Sequence, residues 1–520
     1  MCAHAREGKI KPKPNMKISI KKTKTNFVKA TFSDFEPFEE LRNHFSVMEK
    51  NYAYIRRCKA MKVQISPAKE MIRRSCISAS GEFEIGLLTD ILKYCKDNFY
   101  TRRVEFELAP EIKEYLSTNN FELDTNLTIG SEKAKPRKYQ VESMQIALNK
   151  QNGIFILGTG AGKTFCMALL IHNLLKYNLA KKILVICPFP DLAEQTFTEL
   201  TRIVHTGFSE SPSTFTRWYG KNVLKNDSGI IIAGSDILRS QYSQKKDILR
   251  TVDAIIVDEV HQLKASNKIS DIISELPAKF RYGFTGTLPE NKLDEWAIKG
   301  KIGPVRYNLA SAELRKEKYL TNVNVLGLQV KLDNIPTCTY DEEGNKQPFS
   351  YQDEVEWLST NEQLNSFIAS VTSKLSNNTL ILTNRLSHND AIVELLSQEL
   401  PDKKIFSITG EKDISERTEI RDAMEKEDNI IVVATASCFS TGISVKNIHN
   451  MIFPALIGKS NIRCIQSIGR ILRLNANKTI ARVIDIIPNT KYCLRHWEAR
   501  KMIYTSEKIP FTEKIVKTAV

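Results

Sequence analysis

No stretch of this chain comes near the roughly 18 uninterrupted apolar residues that a membrane-crossing helix requires, so a membrane-embedded protein is excluded as a reading. The N-terminus is basic and lacks an apolar run followed by small residues, so it does not resemble a secretory leader, and an intracellular protein is expected. Ten cysteines run from Cys2 to Cys493 without one C-x-x-C pair. That spacing argues against a zinc site and against a disulfide framework, and buried free thiols are expected instead. Low-complexity tracts, short-period repeats and an aromatic-rich pattern suited to base stacking are missing too.

What is present is a soluble-type composition on a long chain. At 520 residues there is room for three or four domains of about 100–200 residues, and 42% hydrophobic content supplies full cores. The net charge of +15 suggests a polyanionic partner, and its distribution is uneven. Residues 1–30 carry nine Lys/Arg against one Glu, residues 31–125 carry a net of −2, and residues 126–520 carry +9. The first fifteen residues hold two prolines and little apolar surface, too little to offset the entropy of ordering, so residues 1–15 read as a disordered basic tail. The alternation in "MKISIKKTKTNFVKATF" from Met16 onward predicts strand.

Two similar stretches follow. "GIFIL", "KILVICP", "GIIIAG", "DAIIVDE" and "RYGFTGT" alternate with helical segments between about Lys135 and Ala310. The pattern recurs between Asn377 and Asn489 in "NTLILTN", "KIFSITG", "NIIVVAT", "NMIFPAL" and "ARVIDII". Continuous apolar strands separated by helices predict parallel sheets covered on both faces, hence two α/β lobes in tandem. "LRKEKYLTNVNVLGLQVKL" (314–332) lies between them, and "DEEGNKQP" (341–348) reads as a surface excursion.

The segment "LGTGAGKTF" (157–165) carries the first chemistry. A phosphate-binding loop is written G-x-x-x-x-G-K-[ST], and here Leu157 stands where its first glycine belongs. The strand "GIFIL" nonetheless feeds straight into Gly158-Thr159-Gly160-Ala161-Gly162-Lys163-Thr164, and a helical stretch follows. That context suits a phosphate, because a helix N-terminus offers free N–H groups and a favourable dipole. Leu157 replaces only the residue at the strand end, which need not touch phosphate. Asp258 and Glu259 close the apolar run "AIIV", where ligands collect in open α/β sheets. Two acids at a strand end also cap helices, but together with the loop they suit a nucleotide site. Asp258 would hold Mg²⁺ through water, and Glu259 would orient and deprotonate the attacking water.

With these residues in order, the chain resembles the superfamily 2 helicases over residues 135–475. Arg137-Lys138-Tyr139-Gln140 resembles the segment whose Gln reads adenine; Gly160, Gly162, Lys163 and Thr164 match motif I, and "CPFPDLAEQ" resembles motif Ia. Asp258-Glu259-Val260-His261 forms a DExH box, and Thr285-Gly286-Thr287 stands at motif III. "ITGEKDISERTEIRDAM" resembles the stretch after motif IV, and "ATASCFSTGISVKNI" matches motif V. Gln466 to Arg473 fits Q-x-x-G-R-x-x-R, motif VI. The resemblance implies that Arg470 and Arg473 stabilise charge on the transferring phosphoryl group, and that Gln466 and His261 belong to the catalytic set. It also implies a nucleotide cradle of Gln140, Gly158 to Thr164 and Gly442, with metal at Thr164 and Asp258. Ser444 stands where many members carry Asp, so the motif V group that reaches the ribose stays open.

"FSTGISVKN", "FEELRNHFSV" and "GEFEIGLLTDILKYCKDNF" are similar to the phage UvsW-type helicases, which remodel branched DNA. The implied fold class is α/β: two tandem RecA-like parallel-sheet lobes preceded by a small α+β N-terminal domain. The expected boundaries are 16–125 for a nucleic-acid-binding domain, 126–313 for the ATP-binding lobe and 314–520 for the C-terminal lobe. Phosphate contacts are expected at Pro188, Ser235, Asn384 and Thr441 by motif, although each also suits a turn or cap. The implied activity is ATP- and Mg²⁺-dependent unwinding or branch migration of forked or branched DNA, with single strands also bound, by a monomer. RNA as substrate, the motor of a restriction system, and a nucleic-acid-binding protein using ATP only structurally are the alternatives. A nuclease constellation for the second is not found, and intact Lys163, Asp258, Glu259 and Arg473 oppose the third.

Overall fold

The computed structural model describes residues 15–50, 52–61, 66–99, 104–129, 132–204, 215–225, 229–265, 267–436, 438, 445–455, 468–469, 474–475 and 478–517. The chain separates into two compact units, one of residues up to 156 together with 164–308, the other of 157–163 together with 309–520. No helix among the described residues is long and apolar enough to cross a membrane.

The first unit opens with the strand that the alternation from Met16 predicts. β1 (Met16–Lys24) and β2 (Phe27–Phe32) form an antiparallel pair, followed by β3 (Ser46–Lys50), β4 (Met71–Ser75), β5 (Glu82–Glu84) and β6 (Val104–Leu108). The mixed sheet runs β5-β2-β1-β6, while β3 and β4 pair separately as an antiparallel ribbon. Met16, Ile18, Ile20 and Val28 turn inward at period two and meet Leu88, Ile91 and Cys95 of the helix Leu88–Asn98. β7 (Thr128–Ile129) and β8 (Glu132–Lys133) form a small hairpin before the larger sheet.

That larger sheet comprises β9 (Asn152–Leu157), β10 (Ile183–Cys187), β11 (Phe215–Trp218), β12 (Ile230–Gly234), β13 (Ala254–Val257), β14 (Phe280–Thr285) and β15 (Val305–Leu309). Its order is β11-β12-β10-β13-β14-β9-β15, and the pairings from β11 to β9 are parallel. The central strands are buried throughout, as continuous Val/Ile runs require of a sheet covered on both faces.

The small N-terminal sheet is fastened to this body through the helix Lys292–Ile302. Trp296 packs 5.4 Å from the Phe45 ring, Lys299 Nζ pairs with Asp90 at 3.1 Å, and Asn26 Nδ2 donates to Gly300 O at 3.3 Å. The deepest contact is Lys301 Nζ to Glu84 Oε2 at 3.0 Å, with 8% and 14% of the two side chains exposed. Ser274 Oγ donates to the other Glu84 oxygen. Removing one partner of such a pair strands a buried charge, which typically costs 3–5 kcal/mol. Glu84→Ala is therefore expected to destabilise the first unit by about 3 kcal/mol in urea unfolding, and Glu84→Leu with Lys301→Met to recover most of it. A loss below about 1 kcal/mol, the scale of an exposed pair, would show that the contact does not hold the two parts together.

The second unit has its own parallel sheet. It contains β16 (Asn322–Lys331), β19 (Thr379–Thr383), β20 (Ile405–Ile408), β21 (Ile431–Thr435), β22 (Asn450–Pro454), β23 (Ile480–Pro488) and β24 (Phe511–Lys517), in the order β20-β21-β19-β22-β23-β16-β24. The strands β17 (Cys338–Tyr340) and β18 (Lys346–Pro348) form an exposed hairpin around the polar excursion 341–348. Two seven-stranded parallel sheets with helical crossovers, after a small α+β region, are the tandem RecA-like arrangement. The described cysteines are free thiols, and six of the eight are buried.

Candidate active site

The Gly-rich loop leaves β9 as the sequence predicts. Leu157 is the last residue of the strand and is fully buried, so the residue that breaks the usual pattern packs in the core. Gly158 N–H continues the ladder by donating to Leu309 O at 3.0 Å, and Ala161 N–H donates to Gly158 O to close the turn. Gly160 and Gly162 sit at φ +86° and +77°, where a side chain would be strained. A Cβ on Gly158 would stand 2.5 Å from Ser311 Oγ, so this position too admits only glycine. Thr159 and Ala161 complete the turn, and Lys163 and Thr164 are the first residues of the helix Lys163–Lys176. The backbone thus presents the N–H groups of a loop and of a helix N-terminus beside one lysine, the donor set a polyphosphate requires.

Two acids leave the same edge of that sheet. β13 is separated from β9 by one strand, β14, and all run parallel. Asp258 follows β13, is buried, and extends the ladder by donating its N–H to Ile186 O at 2.9 Å. Its carboxylate accepts the Glu259 N–H at 2.9 Å, which fixes the rotamer. Glu259 lies at φ +46°, ψ +50°, left-handed backbone that a non-glycine residue adopts at a cost of about 1–3 kcal/mol. His261 is buried; its Nδ1 lies 2.9 Å from Thr285 Oγ1 and 3.3 Å from Glu259 Oε2, and its Nε2 lies 2.9 Å from Gln262 Nε2. Thr285 Oγ1 also donates to Thr287 O at 2.7 Å. Glu259, His261 and the Thr285–Thr287 turn therefore form one linked group. Burial, and then the neighbouring Asp258 carboxylate, push the Cys187 thiol far up, so a neutral wall stands behind the acids.

The other expected residues divide into those the structure describes and those it does not. Gln140 is buried near the start of the helix Lys138–Asn149, where its Oε1 accepts the Arg137 N–H at 2.8 Å. Pro188 and Ser235 meet: Ser235 Oγ donates to Pro188 O at 2.8 Å, beside a cleft of about 440 Å³ lined by Pro190, Tyr219, Asp236 and Arg239. Asn384 is exposed just after β19. Thr441, Gly442, Gln466, Arg470 and Arg473 lie outside the described residues. Two interactions have no counterpart in the sequence reading. Gln262 touches His261 one residue beyond the DExH wording, and Ser311 backs the loop from far along the chain. Adjacency to the acids could have found the first, while no local signal marks the second.

Comparison with known proteins finds relatives for both sheets. Residues 133–290 match the family described as type III restriction enzyme, res subunit, and residues 360–475 match the helicase conserved C-terminal domain. The chain is 29% identical over 459 residues to the ATP-dependent DNA helicase uvsW of Enterobacteria phage T4, across 83% of this chain and 87% of that one. It is 26% identical over 246 residues to the DNA 3'-5' translocase XPB2 of Sulfurisphaera tokodaii, across 44% of this chain and 50% of the other. The solved structure of S. cerevisiae Dbp5 bound to RNA and ADP BeF3 shares the fold with a TM-score of 0.51 at 15% identity, over 73% of this chain and 90% of that one.

Proposed function

We propose that this chain, a superfamily 2 helicase resembling the UvsW type, is a DExH ATPase that moves along DNA and remodels forked or branched duplexes in phage recombination, replication and repair. The observation that carries the reading is that β9, which runs into the positive-φ glycines and Lys163, and β13, which runs into Asp258 and Glu259, are parallel strands of one sheet with a single strand between them, while Glu259, His261 and Thr285 are linked.

ATP and Mg²⁺ fit these residues. The loop N–H groups and Lys163 suit the β/γ phosphates, and Thr164 with the buried, rotamer-fixed Asp258 suits the cation. The cation would supply charge neutralisation on the phosphates. Glu259, held toward the His261 imidazole, takes the proton of the attacking water, and His261 passes the state of that carboxylate to the Thr285–Thr287 turn. Gln140 and Gly442 are assigned to the nucleotide, and Gln466, Arg470 and Arg473 to charge stabilisation by resemblance. Pro188, Ser235, Asn384 and Thr441 are assigned to strand phosphates, contacts that fix position without reading sequence. In domain terms, residues 16–125 would bind nucleic acid, 126–313 the nucleotide, and 314–520 would form the second motor lobe, the whole acting as a monomer.

The discriminating measurement is ATP hydrolysis with single-stranded, duplex, forked and four-way DNA and matching RNA. The proposal expects stimulation by DNA, greatest with forks or four-way junctions. Stimulation by RNA alone would overturn it in favour of an RNA helicase.

A further inference from the structure

Within residues 31–125 the basic charge is concentrated in one excursion. Residues 46–75 hold eight Lys/Arg and two Glu, whereas the rest of 31–125 holds six Lys/Arg and fourteen Asp/Glu. The excursion comprises the β3–β4 ribbon and two helices between its strands, Tyr52–Ala60 and Pro67–Glu70.

The register of the ribbon separates two faces. Ser46 pairs with Ser75, Met48 with Arg73 and Lys50 with Met71, so these side chains share one face, while Val47, Glu49, Ile72 and Arg74 share the other. The second face borders a cavity of about 590 Å³ through Ile72 and Arg74, together with Trp296 and Ala297; Ile72 is 39% exposed and Arg74 is paired with Glu49 at 3.3 Å. The first face looks outward. Met48 is 54% and Met71 40% exposed, Lys50 and Arg73 are exposed, and no acid shares the face. Arg73 Nη1 donates to Asn43 Oδ1, which holds its guanidinium in place. Arg56 and Arg57 on the neighbouring helix add two further exposed cations.

We infer that the Met48/Lys50/Met71/Arg73 face of this ribbon binds a duplex arm of branched DNA without reading its sequence, an inference that rests on the helicase reading above. Charge complementarity selects the polyanion: residues 46–75 carry eight Lys/Arg against two Glu, whereas the rest of 16–125 carries eleven Lys/Arg against fourteen Asp/Glu, so the excursion is the part of this domain with a cationic excess to attract DNA phosphates. Shape selects the duplex, because a two-stranded ribbon fits the major groove. The methionines are unbranched and adaptable, suited to packing against sugars and base edges of any sequence. With the motor tracking a strand, such a face meets the arm at a branch point and favours forks and junctions over plain single strands.

The test uses the full chain and labelled four-way junctions, forks and single strands. Lys50→Gln with Arg73→Gln is expected to weaken junction and fork binding at least tenfold and to reduce the log–log salt slope by about 2, one for each DNA phosphate that is no longer neutralised. Met48→Ser with Met71→Ser is expected to weaken junction binding severalfold at an unchanged slope. Arg56→Gln with Arg57→Gln provides a second charge variant on a separate element, expected to lower the slope likewise. Single-strand-stimulated hydrolysis should stay within twofold of the unaltered chain in all three, with the same melting temperature. Unchanged junction affinity in all three variants would overturn the ribbon assignment alone. So would an equal loss on single strands, or retained junction affinity with lost binding to poly-glutamate, which would assign the face to an acidic protein. Absence of DNA-stimulated hydrolysis in the unaltered chain would instead overturn the helicase reading itself.

Discussion

Glu259→Gln is expected to bind ATP with nearly unaltered affinity and to hydrolyse it at least about 100-fold more slowly, the scale on which positioning and charge effects act at phosphoryl transfer. The amide is isosteric with the carboxylate and preserves the left-handed turn at φ +46°, so the loop and Asp258 keep their places. What it loses is the ability to take a proton from water. Lys163→Ala behaves differently, because a cation that neutralises the β/γ phosphates acts in the bound state and in the transition state alike. Both ATP affinity and turnover should fall. The contrast separates the two roles: filter-binding of ATP with single-turnover hydrolysis would show tight, slow Glu259→Gln and weak, slow Lys163→Ala. Turnover within a few-fold of the unaltered chain in either variant would overturn the site assignment.

The loop of this proposed site was legible because its residues are local. Gly160, Gly162, Lys163 and Thr164 are contiguous or nearly so, and the φ values that make glycine necessary belong to the loop itself. Leu157 departs from the motif at a position that the fold treats as core, which is why its replacement leaves the loop intact. The coupling of His261 to Thr285 spans 24 residues and two strands, and follows only once β13 and β14 are known to be neighbours.

The fold was legible where strands are continuously apolar and obscure where they are not. "AIIV" and "IIIAG" declare buried central strands, but β16 lies inside a stretch that reads as a connection between lobes. Asn322 and Asn324 face solvent at its start while Val323 and Val325 are buried, so the strand alternates instead of running apolar. β24 is an edge strand with Ile515 80% exposed and Thr512 and Lys514 exposed as well, a pattern that gives no core signal. The ribbon of the N-terminal region was obscure for a related reason: its exposed methionines and arginines serve neither a core nor a recognisable motif.

Asp485→Ala is expected to be the most destabilising single change in the second unit. Asp485 stands on β23 with 0% of its side chain exposed, and Arg500 of the helix Lys491–Ser506 with 2%. Arg500 Nε and Nη2 donate to the two carboxylate oxygens at 2.7 Å each, and Tyr504 O–H donates to Oδ2 at 2.8 Å. Arg500 and Tyr504 are one helical turn apart, so a single carboxylate ties this helix to the sheet. Deleting it removes a bidentate partner from a buried guanidinium, a change worth about 3–5 kcal/mol. The proposed charge-stabilising role of Gln466, Arg470 and Arg473, which lie between β22 and β23 in chain order, would carry the consequence to function. Loosening β23 should therefore abolish DNA-stimulated hydrolysis at a temperature where ATP binding by the loop persists, and cooling should restore it. The double change Asp485→Leu with Arg500→Met, which removes both charges, should recover most of the stability. Thermal melting together with stimulated hydrolysis across temperature decides it. An unaltered melting temperature in Asp485→Ala would mean that the pair does not hold the helix to the sheet, and a loss of hydrolysis that cooling does not reverse would place Asp485 in the chemistry instead of the scaffold.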